Sequence, residues 1–238
     1  WQILPLGPTG YGESPYQCFS SIAGNPLLIN LEMLQEEGWL SKSDLEDHSG
    51  KLAHYVDFGK VRKQKLPLLK KAFLAFKPKA RINKDFKSFC TNKAVWLDDF
   101  SLFVALKEEF RGKPWNLWPK ALRLRDAETL KSYRQELKEE ILYHKFVQYI
   151  FFKQWNDVKA YANKNGIKII GDIPLYVAYD SVDVWSKPEN FLLDKGSKPI
   201  RVAGVPPDYF SATGQLWGNP VYDWDYQEKD GFYWWIER

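Results

Sequence analysis

The sequence predicts an α/β chain. Two strand-led units of the barrel type, in which parallel strands alternate with helices, are separated by a large and mainly helical insertion. Three observations carry this. The runs Trp1-Gln2-Ile3-Leu4-Pro5-Leu6 and Ile167-Lys168-Ile169-Ile170-Gly171-Asp172 are short, apolar and closed by Gly or Pro, as buried strands are. They lie about 160 residues apart, far more than the dozen or so a parallel crossover needs. Neither Pro nor Gly interrupts residues 121–165, and Gly166 then supplies a left-handed helix stop directly before the second run. The expected division is residues 1–26 (a strand and a loop), 27–125 (a helical subdomain) and 126–238 (a helix, strand, long loop and the start of a further helix).

The first strand leads into Gly7-Pro8-Thr9-Gly10-Tyr11-Gly12-Glu13-Ser14-Pro15-Tyr16-Gln17. Gly7 and Gly12 have phosphate-loop spacing, but Glu13 stands where that loop needs Lys and would repel phosphate. The segment reads instead as a turn-rich loop that can present Tyr11, Ser14 and Tyr16 to a cleft. Residues 27–38 hold a short helix stopped by Gly38, and Ser41 with Asp44 has the spacing of a capping box. Residues 60–87 carry eleven Lys or Arg and one acid, Asp85. Leu66, Leu69, Phe73 and Phe76 fall three and four apart in the same stretch, so one helical face is buried and the charges solvate the other. Two more short helices are expected over 83–110, then an aromatic loop at Lys113–Pro119. From Asp126 a long helix carries Leu130, Tyr133, Leu137, Ile141, Phe146, Tyr149, Phe152, Trp155 and Val158 on one stripe. Residues 181–193 read as short-helical, 203–220 as an aromatic loop, and 230–238 as the beginning of a helix.

Composition narrows the function. A net charge of +4 is too small to argue for nucleic acid, and no apolar run approaches the ~20 residues of a membrane span. Cys18 and Cys90 have no metal spacing and make no disulfide scaffold, which fits a reducing compartment. His48, His54 and His144 gather no ligand cluster, so neither a metal nor any other cofactor is expected. No Gly-x-Ser-x-Gly or nucleotide-binding glycine pattern is present. What remains is a carboxylate at a strand end, Asp172, where barrels build their sites, a second in a loop, Asp208, and the rings of Tyr11, Tyr16, Tyr209, Phe210 and Trp217. Rings cover the flat C–H face of a pyranose, and carboxylates or amides such as Asn219 bind its hydroxyl rim. Anchoring of those rings at a barrel mouth is the competing reading.

The blocks WQILPLGPTGYGESPYQCFSSIAGNP and GIKIIGDIPLYVAYDSVDVW…VAGVPPDYFSATGQLWGNPVYDWD resemble the amylomaltases. These are the 4-α-glucanotransferases, or disproportionating enzymes, of glycoside hydrolase family 77 in the α-amylase clan. The resemblance implies a (β/α)8 barrel, of which this chain would supply about strands 2 and 3. It implies retaining transfer of α-1,4-glucan segments between malto-oligosaccharides in the cytoplasm, or in a plastid for a plant or algal source. It further implies that Ser14 and Tyr16 meet the glucose at subsite −1 and that Asp172 contacts sugar without being the nucleophile. Asp208, Tyr209, Phe210 and Trp217 would belong to a loop overhanging the cleft, with Tyr11 as an outer contact. The family's nucleophile Asp, in an Arg-x-Asp-His strand end, and its acid/base Glu are expected beyond Arg238. The chain is therefore expected to be inactive alone and to need the remainder of the barrel as its partner. A non-catalytic glucan-binding protein and, more weakly, a nucleic-acid binder using residues 60–87 remain as alternatives.

Overall fold

The computed structural model describes residues 1–46 and 54–238; His48 lies outside them. Helices dominate the described residues. Helix α1 (Leu31–Glu36) is capped by the Asn30 side chain, which accepts from Met33 N–H, and Gly38 ends the turn at φ +76°. Ser41 and Asp44 form the expected capping box. Helices α2 (Phe58–Phe76), α3 (Lys84–Asn92) and α4 (Ala94–Glu109) follow, the last longer than its sequence suggests. After the loop holding Trp115 and Trp118, both buried, come α5 (Lys120–Arg123), α6 (Ala127–Glu136) and α7 (Lys138–Lys164). The single long helix expected from Asp126 is thus two, parted at Leu137. Neither Pro nor Gly marks that break; Leu137 is buried in the same cluster as Leu130, so tertiary packing selects it. Gly166 closes α7 at φ +74°, as expected.

Two apolar clusters form the core. One joins Leu34 of α1, Leu69, Phe73 and Phe76 of α2, Phe86 of α3 and Phe146 and Ile150 of α7. The other joins Phe100, Phe103 and Leu106 of α4 with Trp115, Trp118, Trp185, Tyr222 and Trp234. Helix α7 packs along α4 and also meets α2 and α3. The cationic run does solvate one face of α2, with Lys63, Lys71 and Lys77 exposed. Two members are used inward instead. Lys65 Nζ donates to the Leu27 and Ile29 carbonyls, both at 2.7 Å, and Arg62 pairs with Glu13.

The strand expectation needs correction. Residues 1–3 and 168–170 do run in parallel, with Ile3 N–H on the Ile170 carbonyl at 3.0 Å and Ile170 N–H on the Trp1 carbonyl at 2.8 Å. The pairing is a single bridge, Gln2 to Ile170, and not two buried strands; Leu4 is 60% and Ile170 62% exposed. Parallel strands are buried only when flanked on both edges and covered on both faces. Among the described residues each segment has only the other beside it. The regular sheet lies elsewhere, where a loop was expected. β1 (Val202–Val205) and β2 (Gln215–Pro220) pair antiparallel. Gly204 and Gly214 permit this close approach, since a Cβ on either would stand 2.5 Å from a carbonyl oxygen of the partner segment. Helix α8 (Val182–Ser186) agrees with the short-helical reading of 181–193. The last helical region starts earlier than expected, as α9 (Trp224–Lys229). It breaks at Gly231 and Phe232, both with positive φ, and resumes as α10 (Tyr233–Glu237).

The entry segment 24–30 is clasped by α7. Gln148, 1% exposed, donates to the Gly24 carbonyl at 2.9 Å and accepts from Gly24 N–H at 2.8 Å. Gln154, six residues on, does the same to Asn30. Gly24 is required here, because an added Cβ would lie 2.0 Å from the Phe151 ring. Replacing Gln148 by Ala strands a buried N–H and a buried carbonyl, each worth about 1–3 kcal/mol. Urea unfolding should show Gln148→Ala less stable by about 2 kcal/mol or more, by the same reasoning. An unchanged midpoint would show that the clasp is dispensable.

Candidate functional site

Tyr16 and Asp172 lie downstream of the two segments that pair in parallel, 156 residues apart in the chain, and they meet directly. The Tyr16 phenol donates to Asp172 Oδ2 at 2.6 Å, with Tyr16 42% exposed. The hydrogen bond to Asp172 raises the phenol's pKa, because it favours the protonated form. Local turns set the loop. Gly10 N–H donates to the Gln17 carbonyl at 2.9 Å and Gln17 N–H to the Ser14 carbonyl at 3.1 Å. Ser14 Oγ accepts from Tyr16 N–H at 3.3 Å, so Ser14 shapes the backbone that carries the ring. Behind the loop, Ser21 donates through N–H and Oγ to the buried Asp183 at 2.9 and 2.6 Å, which anchors the returning chain to α8. Burial pushes the Asp183 carboxyl up, against those bonds. Beside Asp172 lies a cavity of about 440 Å³ reaching Leu6, Ser21, Phe151, Pro174 and Arg238, in which Asp172 is the one lining side-chain carboxylate among the described residues.

A second cleft, about 430 Å³, is lined by Gln17, Phe19, Tyr179, Asp180, Trp217 and Asn219. Trp217 sits on β2 at 45% exposure, its ring edge-on to Tyr176 with centroids 6.3 Å apart. Asn219 is nearly buried and bound within the protein. It donates to the Val177 carbonyl at 2.7 Å and accepts from Gln17 Nε2 at 3.4 Å, bracing β2 against the Tyr16 loop. Asp208 Oδ1 accepts from Phe210 and Ser211 N–H, both at 2.9 Å. Its carboxylate thus folds the turn that carries Tyr209 and Phe210, which stand 98% and 87% exposed with their rings edge-on. These three form a cluster of their own at the hairpin tip. The Tyr11 side chain lies outside what the structure describes.

Gln17, Phe19, Tyr179 and Asp180 were not among the sequence candidates. Lys107, 8% exposed, donates to Asp180 Oδ2 at 2.5 Å and stands over the Phe19 ring, while Asp180 Oδ1 accepts from Trp115 N–H. The sequence held one signal of this. Lys107 follows Leu102, Phe103, Ala105 and Leu106 on the apolar part of α4, where a lone cation needs a partner.

The Tyr16–Asp172 pair has a titration signature. With Asp172→Asn the acceptor loses its charge, so Tyr16 should ionise at lower pH than in the wild type. Carbon-13 NMR of ring-labelled tyrosine, assigned by difference with Tyr16→Phe, measures it. An unmoved Tyr16 titration would rule out the pairing in solution. Because the pair is exposed, global stability should change by less than about 0.5 kcal/mol.

Comparison with known proteins identifies the family. The family model for glycoside hydrolase family 77, described as 4-alpha-glucanotransferase, matches residues 1–238. The chain is 51% identical over 240 residues to the 4-alpha-glucanotransferase of Clostridium butyricum, covering 100% of this chain and 49% of that one. Identity to the Thermus thermophilus 4-alpha-glucanotransferase is 50% over 240 residues, covering 100% of this chain and 47% of that one. Amylomaltase from Streptococcus agalactiae, solved in complex with acarbose, superposes with a TM-score of 0.94 at 47% identity, over 99% of this chain and 48% of that chain. The chain spans about half the length of the relatives it matches. It belongs to the 4-alpha-glucanotransferase family, glycoside hydrolase family 77.

Proposed function

We propose that these residues form the sugar-gripping portion of a 4-α-glucanotransferase that moves α-1,4-glucan segments between malto-oligosaccharides with retention at the anomeric carbon. The observation that carries this is the hydrogen bond from Tyr16 to Asp172. It puts an exposed aromatic ring and a strand-end carboxylate on one rim, a pairing suited to the face and the hydroxyls of one glucose. The parallel pairing of residues 1–3 with 168–170 supports reading them as neighbouring strands, about the second and third, of a (β/α)8 barrel. Residues 27–125 are then the helical insertion between them.

In this reading Tyr16 stacks on the glucose at subsite −1, with Ser14 setting its approach, and Asp172 accepts from sugar hydroxyls. Trp217 lines the donor side. Asp208 holds the turn that offers Tyr209 and Phe210 to the glucan, and closure of that tip would exclude water and favour a sugar acceptor over hydrolysis. Tyr11 is an outer contact. Asn219 serves the site by holding β2 to Gln17. Retaining transfer needs two carboxyl groups about 5–5.5 Å apart, one as nucleophile and one as proton donor. The cavity beside Asp172 offers one carboxylate. The resemblance, and not this lining, assigns the nucleophile and the proton donor to carboxylates outside residues 1–238 and leaves these residues binding and orientation.

Maltoheptaose and acarbose should quench tryptophan fluorescence saturably. Tyr16→Ala and Trp217→Ala should each weaken binding roughly 3- to 10-fold, the worth of one aromatic face. Incubation of these 238 residues with maltotriose should give neither glucose nor longer oligomers. Absence of saturable binding sinks the glucan reading, and turnover sinks the assignment of the chemistry elsewhere.

A further inference from the structure

The loop that carries Tyr16 is held from an unexpected direction. Its stem closes through Phe19 N–H on the Pro8 carbonyl and Gly10 N–H on the Gln17 carbonyl. At the tip the backbone turns left-handed twice, at Gly12 with φ +67° and at Glu13 with φ +56°. Glycine adopts that conformation freely; a residue with a Cβ does so only when its surroundings hold it there. The Glu13 side chain supplies the hold. Its Oε2 accepts from Thr9 Oγ1 at 2.7 Å and from Arg62 Nη2 at 2.5 Å, and Arg62 Nη2 stands 3.4 Å from Thr9 Oγ1. Both partners are partly shielded, with side chains 35% and 30% exposed. The hydrogen bond from Arg62 keeps the Glu13 carboxyl below the usual carboxylate range.

Arg62 is well placed to act as a fixed point. It lies near the start of α2, whose first turn is capped by the Asp57 carboxylate on Lys60 N–H at 2.9 Å. Lys65, three residues on, ties the same helix to the Leu27 and Ile29 carbonyls. The loop thus has a rigid helical arm at its tip and a strand end at its base. We propose that the Glu13–Arg62 ion pair, closed by Thr9, is a positioning device for the Tyr16 loop: it fixes the left-handed turn at Glu13 so that Tyr16, three residues on, meets Asp172. Arg62 acts through Glu13 and is a positioning residue, not a sugar ligand. Only the consequence for glucan affinity rests on the function proposed above.

The test follows Tyr16 itself. Its titration is measured by carbon-13 NMR in the wild type, Arg62→Ala, Arg62→Lys and Glu13→Gln, with Tyr16→Phe for assignment. The expected result is a Tyr16 titration that moves towards the ordinary tyrosine range in Arg62→Ala and Glu13→Gln and stays near the wild type in Arg62→Lys. Maltoheptaose affinity should fall about threefold in Arg62→Ala, the scale of such a pair, with no further loss in a Tyr16→Ala background. An unchanged Tyr16 titration in both Arg62→Ala and Glu13→Gln overturns the proposal, whatever the glucan does. A shifted titration with unmoved glucan affinity upholds the positioning role and counts against Tyr16 as a sugar contact. If Arg62→Ala fails to fold, Glu13→Gln decides alone, because it removes the charge and keeps the side chain's shape.

Discussion

The structure depends on α7 lying parallel to the path by which the chain leaves the first strand-like segment. Its apolar face, through Phe146 and Ile150, is committed to the core with α2. Its two buried glutamines are committed to Gly24 and Asn30. Gln148 and Gln154, six residues and nearly two turns apart on one helix, grip the backbone at points also six residues apart. The hydrophobic contact is non-directional and would tolerate sliding; the paired amide bonds are directional and do not. Together they set where residues 19–24 run, and so where the loop before them stands over Asp172.

Within the site the same division recurs. Rings supply area, while small polar groups fix where the rings stand. Ser14 shapes the backbone under Tyr16, Asp208 folds the turn under Tyr209 and Phe210, and Asn219 ties the strand of Trp217 to Gln17. Three of the polar candidates thus have evident work inside the protein, where the sequence gives equal grounds to see them as sugar ligands. Asp172 differs. It bonds to an exposed phenol and borders open space, so its partner can be exchanged for another hydroxyl at little desolvation cost.

Much of this was legible beforehand because its causes are local. The stop at Gly38, the capping box at Ser41, the short helix after Ser181 and the end of α7 at Gly166 follow from cap and glycine chemistry within a few residues. The meeting of Tyr16 with Asp172 was legible for a different reason: Asp172 closes one apolar run, Tyr16 lies in the loop that follows the other, and the two runs read as neighbouring parallel strands. The misses are all tertiary. The break at Leu137 answers to packing, the hairpin at 202–220 hides behind glycines that read as loop, and the exposure of Leu4 and Ile170 depends on neighbours a segment's own residues do not reveal. Tyr11 is a candidate by its loop and by the family resemblance, and its side chain lies outside what the structure describes.

The cations show the limit of pattern reading most sharply. In residues 60–87 they look interchangeable, a solvated face opposite an apolar stripe. The fold separates them by what lies within reach. Lys63 and Lys71 sit on the exposed side, whereas Lys65 bridges the Leu27 and Ile29 carbonyls and burial lowers its pKa. Arg62 reaches a carboxylate on the Tyr16 loop, and Lys107, from another helix, reaches Asp180 beside Trp217. A long cation can bury its stem along a helix and still deliver charge at the end, which no apolar side chain can do. The helical residues between the two parallel segments therefore do more than fill space. They deliver positive charge to the two loops that frame the clefts, Arg62 to Glu13 and Lys107 to Asp180.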